Sequence, residues 1–359
     1  MLFRLTASTN VGCVRTNNED NFIVNDDLTS QDWFVPSDTS KEISLGESGA
    51  VLVVADGMGG MNAGEVASAI AIDTIKEAFS AADFSKIVTS DKKVEAFMKN
   101  AIVEADTKIK DKVKEDESTS GMGTTIVIAW VLGNTVHIAW CGDSRAYLFN
   151  PNSGLVRLSK DHSYVQELVD AGKLDAELAF DHPNSNIITR SLGDSPVKAR
   201  PDYTSHLLQE KDYILLCSDG LCGLCRDEEI VQVMVGAGDI ETCKVNLINA
   251  ALEAGGYDNV TVALLEVVSV ENEKEEVVTD TTNDIKKVKT RKRKARRIWL
   301  LLVLAALLGL GGWLYHTGNW RPLLESIGRM IEAVLEKGQS PVENPASAVF
   351  ENEESTNNE

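Results

Sequence analysis

Four apolar, β-branched runs in this chain meet the same kind of junction, an aspartate beside a glycine or another tight-turn residue. Ala50–Ala55 (AVLVVA) leads into Asp56-Gly57-Met58-Gly59-Gly60, and residues 213–218 (YILLCS) lead into Asp219-Gly220. Thr135–Cys141 (TVHIAWC) leads into Gly142-Asp143-Ser144-Arg145, and Gly255-Gly256-Tyr257-Asp258-Asn259 opens the run VTVALLEV. One Asp-Gly after a strand is ordinary turn chemistry. Four such junctions constrain the fold far more. If the strands lie side by side, their carboxylates converge at one sheet edge, where they cannot all ionise without a compensating cation. An all-oxygen donor set without nearby His or Cys suits Mg²⁺ or Mn²⁺ rather than zinc. The glycines let a backbone carbonyl approach the ion without a Cβ clash.

Two such ions about 3.5–4 Å apart would hold a shared water and lower its pKa, and the resulting hydroxide could attack phosphorus in line. Phosphate monoesters gain most from this activation because they are so inert in water. The phosphate also needs a positive partner. Arg15, in Arg15-Thr16-Asn17-Asn18-Glu19-Asp20, is the candidate, since a guanidinium grips two phosphate oxygens at once.

Further strand patterns cover residues 21–24, 124–131, 146–149 and 260–268, and helical periodicity covers 63–79, 92–114 and Ile240–Glu253. Many short strands and two consecutive long helices, without strict βαβ alternation, predict an α+β fold. Residues 28–49 read as an extra loop, whose Trp33 and Phe34 are either a docking surface or a small satellite core.

The motifs TNVGCVRTNNEDNF, VVADGMGGMNAGEVAS, GMGTTIVIAW, HIAWCGDSRAYLF, LLCSDGL and GGYDNVTV, in this order, resemble those of the bacterial metal-dependent protein phosphatases of type 2C. The resemblance covers residues 1–268. It implies a four-layer α-β-β-α sandwich of two antiparallel sheets flanked by helix pairs, with the metals in a cleft at one end. It implies that Asp56 bridges two Mn²⁺ or Mg²⁺ ions, that the Gly57 carbonyl binds one, and that Asp219 and Asp258 complete the first site. By the same resemblance, Glu19 and Asp20 support the cluster through metal-bound waters, Asp143 with Asp219 holds a third, weaker ion, and Arg15 binds the substrate phosphate. The implied reaction is attack of metal-bound hydroxide on a phosphoserine or phosphothreonine of a protein substrate, releasing inorganic phosphate.

Residues 159–194 correspond to the flap that varies among members and touches the substrate. The chain departs from the pattern in carrying Met58 and Met61 where family members place histidines. The proton for the leaving oxygen then defaults to metal-bound water. His162 and His182 are alternatives, although surface histidines without a catalytic role are the plainer reading.

Beyond residue 268 the chemistry changes. A polar, acidic linker precedes residues 286–297 (KKVKTRKRKARR), nine of which are basic, in a chain whose net charge is −20. Residues 269–297 thus form a linker and a basic juxtamembrane run. Residues 298–315 (IWLLLVLAALLGLGGWLY) carry no charge and reach about 27 Å as a helix, enough to span a hydrocarbon core. Trp299, Trp313 and Tyr315 stand near its ends. One transmembrane helix is therefore expected. The basic flank keeps the catalytic domain on the cytoplasmic face of a bacterial membrane, and residues 316–359, an amphipathic helix and a disordered acidic tail, fall outside. Met1–Ser8 shows no features of a secretory signal.

Anionic lipid headgroups are the expected partner of the basic run, and a cognate membrane Ser/Thr kinase is the partner suggested by the resemblance. The acidic balance argues against nucleic acid as a partner and hence against a two-metal nuclease. A catalytically dead binding module would be expected to have lost one of Asp56, Asp219, Asp258, Asp143 or Arg15, all of which stand. Cys13, Cys141, Cys217, Cys222, Cys225 and Cys243 read as free thiols of a reducing compartment. Cys222 and Cys225 lack the second pair a zinc site needs.

Overall fold

The computed structural model describes residues 1–270 apart from 31–32, 34–37, 60–62 and 194–195. These belong to the first of two units, Met1–Glu273; the second, Lys274–Glu359, lies outside the described residues, and with it the expected basic run, membrane span and tail. Among the described residues no helix is long and apolar enough to cross a membrane.

In chain order the strands are β1 (Leu2–Asn10), β2 (Asn21–Asn25), β3 (Ile43–Ser44), β4 (Ala50–Ala55), β5 (Gly57–Met58), β6 (Gly123–Thr124), β7 (Ile126–Leu132), β8 (Thr135–Cys141), β9 (Arg145–Asn150), β10 (Gly154–Arg157), β11 (Asp202–Leu207), β12 (Tyr213–Cys217) and β13 (Val260–Ser269). The helices are α1 (Ala63–Ser80), α2 (Phe84–Ile87), α3 (Asp91–Glu115), α4 (Tyr164–Asp170), α5 (Asp219–Cys222), α6 (Asp227–Gly236) and α7 (Ile240–Glu253). One sheet has the order β10-β9-β12-β13-β1-β3 and the other β11-β8-β7-β4-β2, while β5 and β6 form a short separate ladder. All pairings are antiparallel.

Side-chain alternation on the central strands builds the layers. In β4, Val51, Val53 and Ala55 join the apolar seam formed with α1 and α3, and Ala50, Leu52 and Val54 point into the seam between the sheets. In β12 and β13, Leu215, Cys217, Val262 and Leu264 face the seam with α6 and α7, whereas Ile214, Leu216, Ala263 and Leu265 face the other sheet. Strands covered on both faces lose the polar half of their alternation, which is why AVLVVA is apolar throughout although its sheet is antiparallel. The result is the expected α-β-β-α sandwich.

Three parts of the fold differ from the sequence reading. β1 was not expected as a strand; its Phe3, Leu5 and Ala7 enter the inter-sheet seam, and its register is set by β13 at the other end of the domain. β11 is an edge strand beside β8 with mostly polar, half-exposed side chains. Trp33 belongs to the main helix-side core, edge-on to Phe79 at 6.4 Å, and is neither a docking surface nor a satellite core. Phe34 lies outside the described residues. All six cysteines are free thiols, and Cys13 alone among them is exposed.

Trp130 is the largest fully buried side chain of the helix-side seam; its ring centre lies 5.1 Å from Phe79 and 5.6 Å from Phe97, and its Nε1 donates to the Ser48 carbonyl at 2.9 Å. Trp130→Ala should cost about 3–5 kcal/mol in denaturant unfolding. Trp130→Phe, which keeps a ring but loses the hydrogen bond, should cost less. Equal costs for the two would show that packing around the indole is not what holds this seam.

Candidate active site

Strand register brings the carboxylates together. Asn21 pairs with Ala55, so Asp20, just before β2, and Asp56, just after β4, leave the five-stranded sheet at the same end. In the other sheet Cys217 pairs with both Val262 and Arg145. Asp219 after β12, Asp258 before β13 and Asp143 before β9 therefore also share an end. Two close backbone approaches tighten the gathering. A Cβ on Gly220 would lie 1.9 Å from the Asn259 carbonyl oxygen, so the Asp219 turn rests directly on the turn that carries Asp258. A Cβ on Gly57 would meet the Gly64 carbonyl at 2.3 Å and the Glu19 carbonyl at 2.5 Å, and only glycine lets this turn sit between the start of α1 and the Glu19 backbone.

Burial and mutual repulsion set the electrostatics. Burial, followed by the charges of Asp20, Asp219 and Asp143, holds the Asp56 carboxyl well above the usual carboxylate range. Asp143 is likewise raised well above it, by burial and then Asp219. Asp219 is raised by burial and Asp258, against a hydrogen bond from Asp56. Asp20 is pushed up to about 7 by burial, even though Ser218 and Thr261 hydroxyls donate to its Oδ2 at 2.7 and 2.6 Å and favour the charged form. Glu19 is raised by burial, with Arg15 opposing. Arg15 faces the cluster from its exposed rim and donates to Asp258 Oδ2 at 2.7 Å. All eight residues singled out in the sequence thus meet in one place.

A set of uncharged side chains that the sequence reading gave no role holds them there. Asn259 is buried; its Nδ2 donates to the Val11 and Asn17 carbonyls and its Oδ1 accepts from Glu19 N, tying the Arg15 loop to the Asp258 turn. Thr124 Oγ1 and Thr125 N each donate to the Asp56 carbonyl at 2.8 Å, and the Thr125 and Ser144 hydroxyls bond at 2.6 Å, which connects the Asp56 and Asp143 turns. Ser144 and Asn259 stand beside acidic turns in the sequence, whereas Thr124 and Thr125 do not, and nothing in those segments announces a partner in another turn.

His162 is not a surface histidine. It is buried, accepts Gly142 N–H on Nδ1 at 3.1 Å and engages Asp202 with Nε2 at 3.0 Å; burial lowers its pKa. Both nitrogens are committed to the frame, so it does not serve as the acid. His182 accepts the Asn184 N–H within the flap. Met61 lies outside the described residues.

The donor set fits hard divalent cations. It consists of carboxylates together with backbone, and Asp143 Oδ1 is buried with no hydrogen-bond partner among the described residues, an oxygen that lacks a proton or a cation. Among the described residues no three His, Cys, Asp or Glu side chains close around one point as a ready-made cage.

The protein phosphatase 2C family model matches residues 7–260. The serine/threonine phosphatase Stp of Listeria welshimeri is 34% identical over 60% of this chain and 84% of its own length. The solved serine/threonine phosphatase of S. agalactiae is 31% identical, covers 74% of this chain and 99% of its own, and superposes with a TM-score of 0.63. The catalytic domain of PstP, a serine/threonine phosphatase of Mycobacterium tuberculosis, was solved with two manganese ions; it is 31% identical, covers 75% of this chain and all of its own, and gives a TM-score of 0.59. The chain belongs to the protein phosphatase 2C family, as an enzyme of the serine/threonine phosphatase class dependent on Mn²⁺ or Mg²⁺.

Proposed function

We propose that this chain removes phosphate from phosphoserine and phosphothreonine residues of proteins at the cytoplasmic face of a bacterial membrane, to which its own C-terminal segment tethers it. The observation that carries the chemistry is the group of buried Asp20 and Asp143 with half-buried Asp56 and Asp219, raised in pKa and facing an arginine at its open side. Asp56, the Gly57 carbonyl, Asp219 and Asp258 would hold two cations, Asp143 with Asp219 a third, and Glu19 and Asp20 would support them. When bound, the cations neutralise this charge, acidify water and draw charge from the phosphoryl oxygens.

The chain's own groups do the rest. Arg15 exchanges its bond to Asp258 for two bonds to the phosphate, which sets the phosphorus over the carboxylates. Thr124, Thr125 and Asn259 keep the turns from relaxing under repulsion. His162, committed elsewhere, is not the source of the proton for the leaving oxygen. The tether rests on the basic run at 286–297 and the uncharged run at 298–315. Basic residues near a membrane surface gain about 1 kcal/mol each from anionic headgroups. A membrane Ser/Thr kinase and its targets are then substrates within reach.

Hydrolysis of phosphopeptides should require Mn²⁺ or Mg²⁺ and cease in excess chelator. Asp219→Asn should lower kcat at least about 100-fold, whereas Arg15→Ala should raise KM about 10- to 100-fold with a smaller change in kcat. Full turnover in chelator would contradict the role of the carboxylates, and an unchanged kcat/KM in Arg15→Ala would contradict that of the arginine. For the tether, a reporter fused after Glu359 should be active only outside the cytoplasm and one at the N-terminus only inside. A full-length protein recovered in the soluble fraction would remove the membrane from the proposal.

A further inference from the structure

Beside the carboxylate cluster lies a cavity of about 440 Å³ that opens directly onto Asp143, Asp219 and Asp258. One wall is the flap, with Val165 and Val169 of α4 and Ala179 and Phe180 beyond it; the other is α5 and the start of α6, with Leu224 and Arg226. A volume of this order holds a small ligand or a few side chains, more than one phosphate needs. Its walls combine apolar side chains with charged groups that are already paired, Arg145 and Arg157 both being held by Asp161. Continuity with the catalytic cluster identifies the occupant as the polypeptide on either side of the phosphorylated residue.

The flap's two ends are tied to each other and to the body. Thr189 N donates to His162 O, Tyr164 N to Ile187 O and Leu192 N to Thr124 O. Buried Asp106 on α3 accepts from Gly193 N and Ala199 N. The tip, residues 171–186, is different. Among the described residues, one side chain of the body makes a polar tie to it: Arg226 Nη2 donates to Asp181 Oδ2 at 2.6 Å, and the same guanidinium lies 4.3 Å from the centre of the Phe180 ring. Phe180 and Arg226 both line the cavity, so this contact joins its two walls. Both charged partners are open to solvent, with 43% and 66% of their side-chain surface accessible. A tie of that kind is weak and salt-sensitive, suited to opening and closing rather than to holding the fold.

We propose that Arg226 is a specificity-determining residue that latches the flap tip through Asp181 and Phe180, closing the cavity around the polypeptide that flanks the phosphoresidue. It acts on phosphopeptides and phosphoproteins and is indifferent to small phosphomonoesters, which reach only the carboxylate end. This rests on the proposed phosphatase activity and deepens it by assigning the surface that reads the substrate chain.

The test compares p-nitrophenyl phosphate with a phosphothreonine peptide, using the full-length protein in Mn²⁺. In Arg226→Ala, KM for the peptide should rise about 3- to 30-fold, the range expected for an ion pair plus a cation–π contact. Its kcat, and both constants for p-nitrophenyl phosphate, should stay within twofold of wild type. Asp181→Ala should reproduce the part of the shift due to the ion pair, and the double variant should be no worse than Arg226→Ala alone. Arg226→Lys should restore part of the peptide affinity, and hydrogen exchange across residues 165–186 should quicken in Arg226→Ala. Unchanged peptide kinetics, an equal loss on both substrates, additive effects in the double variant, or unaltered exchange would each overturn the latch while leaving the phosphatase reading intact. Failure of the wild-type protein to hydrolyse either substrate would overturn the phosphatase reading, and the latch with it.

Discussion

The repulsion among carboxylates crowded at the strand ends is the constraint on which the rest of this structure depends. Burial and neighbouring negative charge raise Asp20, Asp56, Asp143 and Asp219 together, so the fold works against itself at this point unless cations are bound. What keeps the turns in place is built around them. Three apolar seams fix strand register, Gly57 and Gly220 allow backbone approaches that any side chain would prevent, and Thr124, Thr125, Ser144, Ser218, Asn259 and Thr261 supply hydrogen bonds between the acidic turns. The family's dependence on divalent cations follows from this arrangement as much as from the reaction.

Arg15 belongs to the same balance. Its guanidinium partners Asp258, offsetting part of the cluster's charge at the exposed rim. A phosphate offers it a second anionic partner of higher charge in the same place. The site thus binds anions through one arginine and cations through its carboxylates. The flap supplies a third kind of contact, with the polypeptide rather than with the phosphate.

Those parts of the fold whose side chains are buried on both faces were legible in the sequence. AVLVVA and YILLC match β4 and β12 residue for residue, because burial on two sides leaves no polar position to blur the pattern. The acidic turns were legible for a related reason, since each stands where an apolar run stops. β1 and β11 were not. LFRLTASTN mixes polar and apolar residues and becomes a strand by pairing with β13 more than 250 residues away, and DYTSHL lies at an exposed sheet edge. The supporting ring of Thr, Ser and Asn side chains was also hidden. Each of those residues is ordinary in its own segment, and its role arises only when the tertiary fold brings a second turn within hydrogen-bond reach. His162 was misjudged for the same reason: nothing local to it announces Gly142 or Asp202 as partners.

The most direct test is to count the protons released when Mn²⁺ binds, by calorimetry at pH 6 in buffers of different ionisation enthalpy. Without cations Asp20 is raised from 3.8 to about 7, so at pH 6 the folded protein retains a proton there that the unfolded chain has already lost. Stability linked to that proton is full below the unfolded pKa and is lost as pH rises through the folded one. A bound cation favours the charged carboxylates and expels the proton. About one proton or more should be released, with Mn²⁺ affinity weakening as the pH is lowered from 7 to 5. Binding heats that do not depend on the buffer, with affinity flat across that range, would mean that the carboxylates are already ionised and that their mutual repulsion is not what the cations relieve.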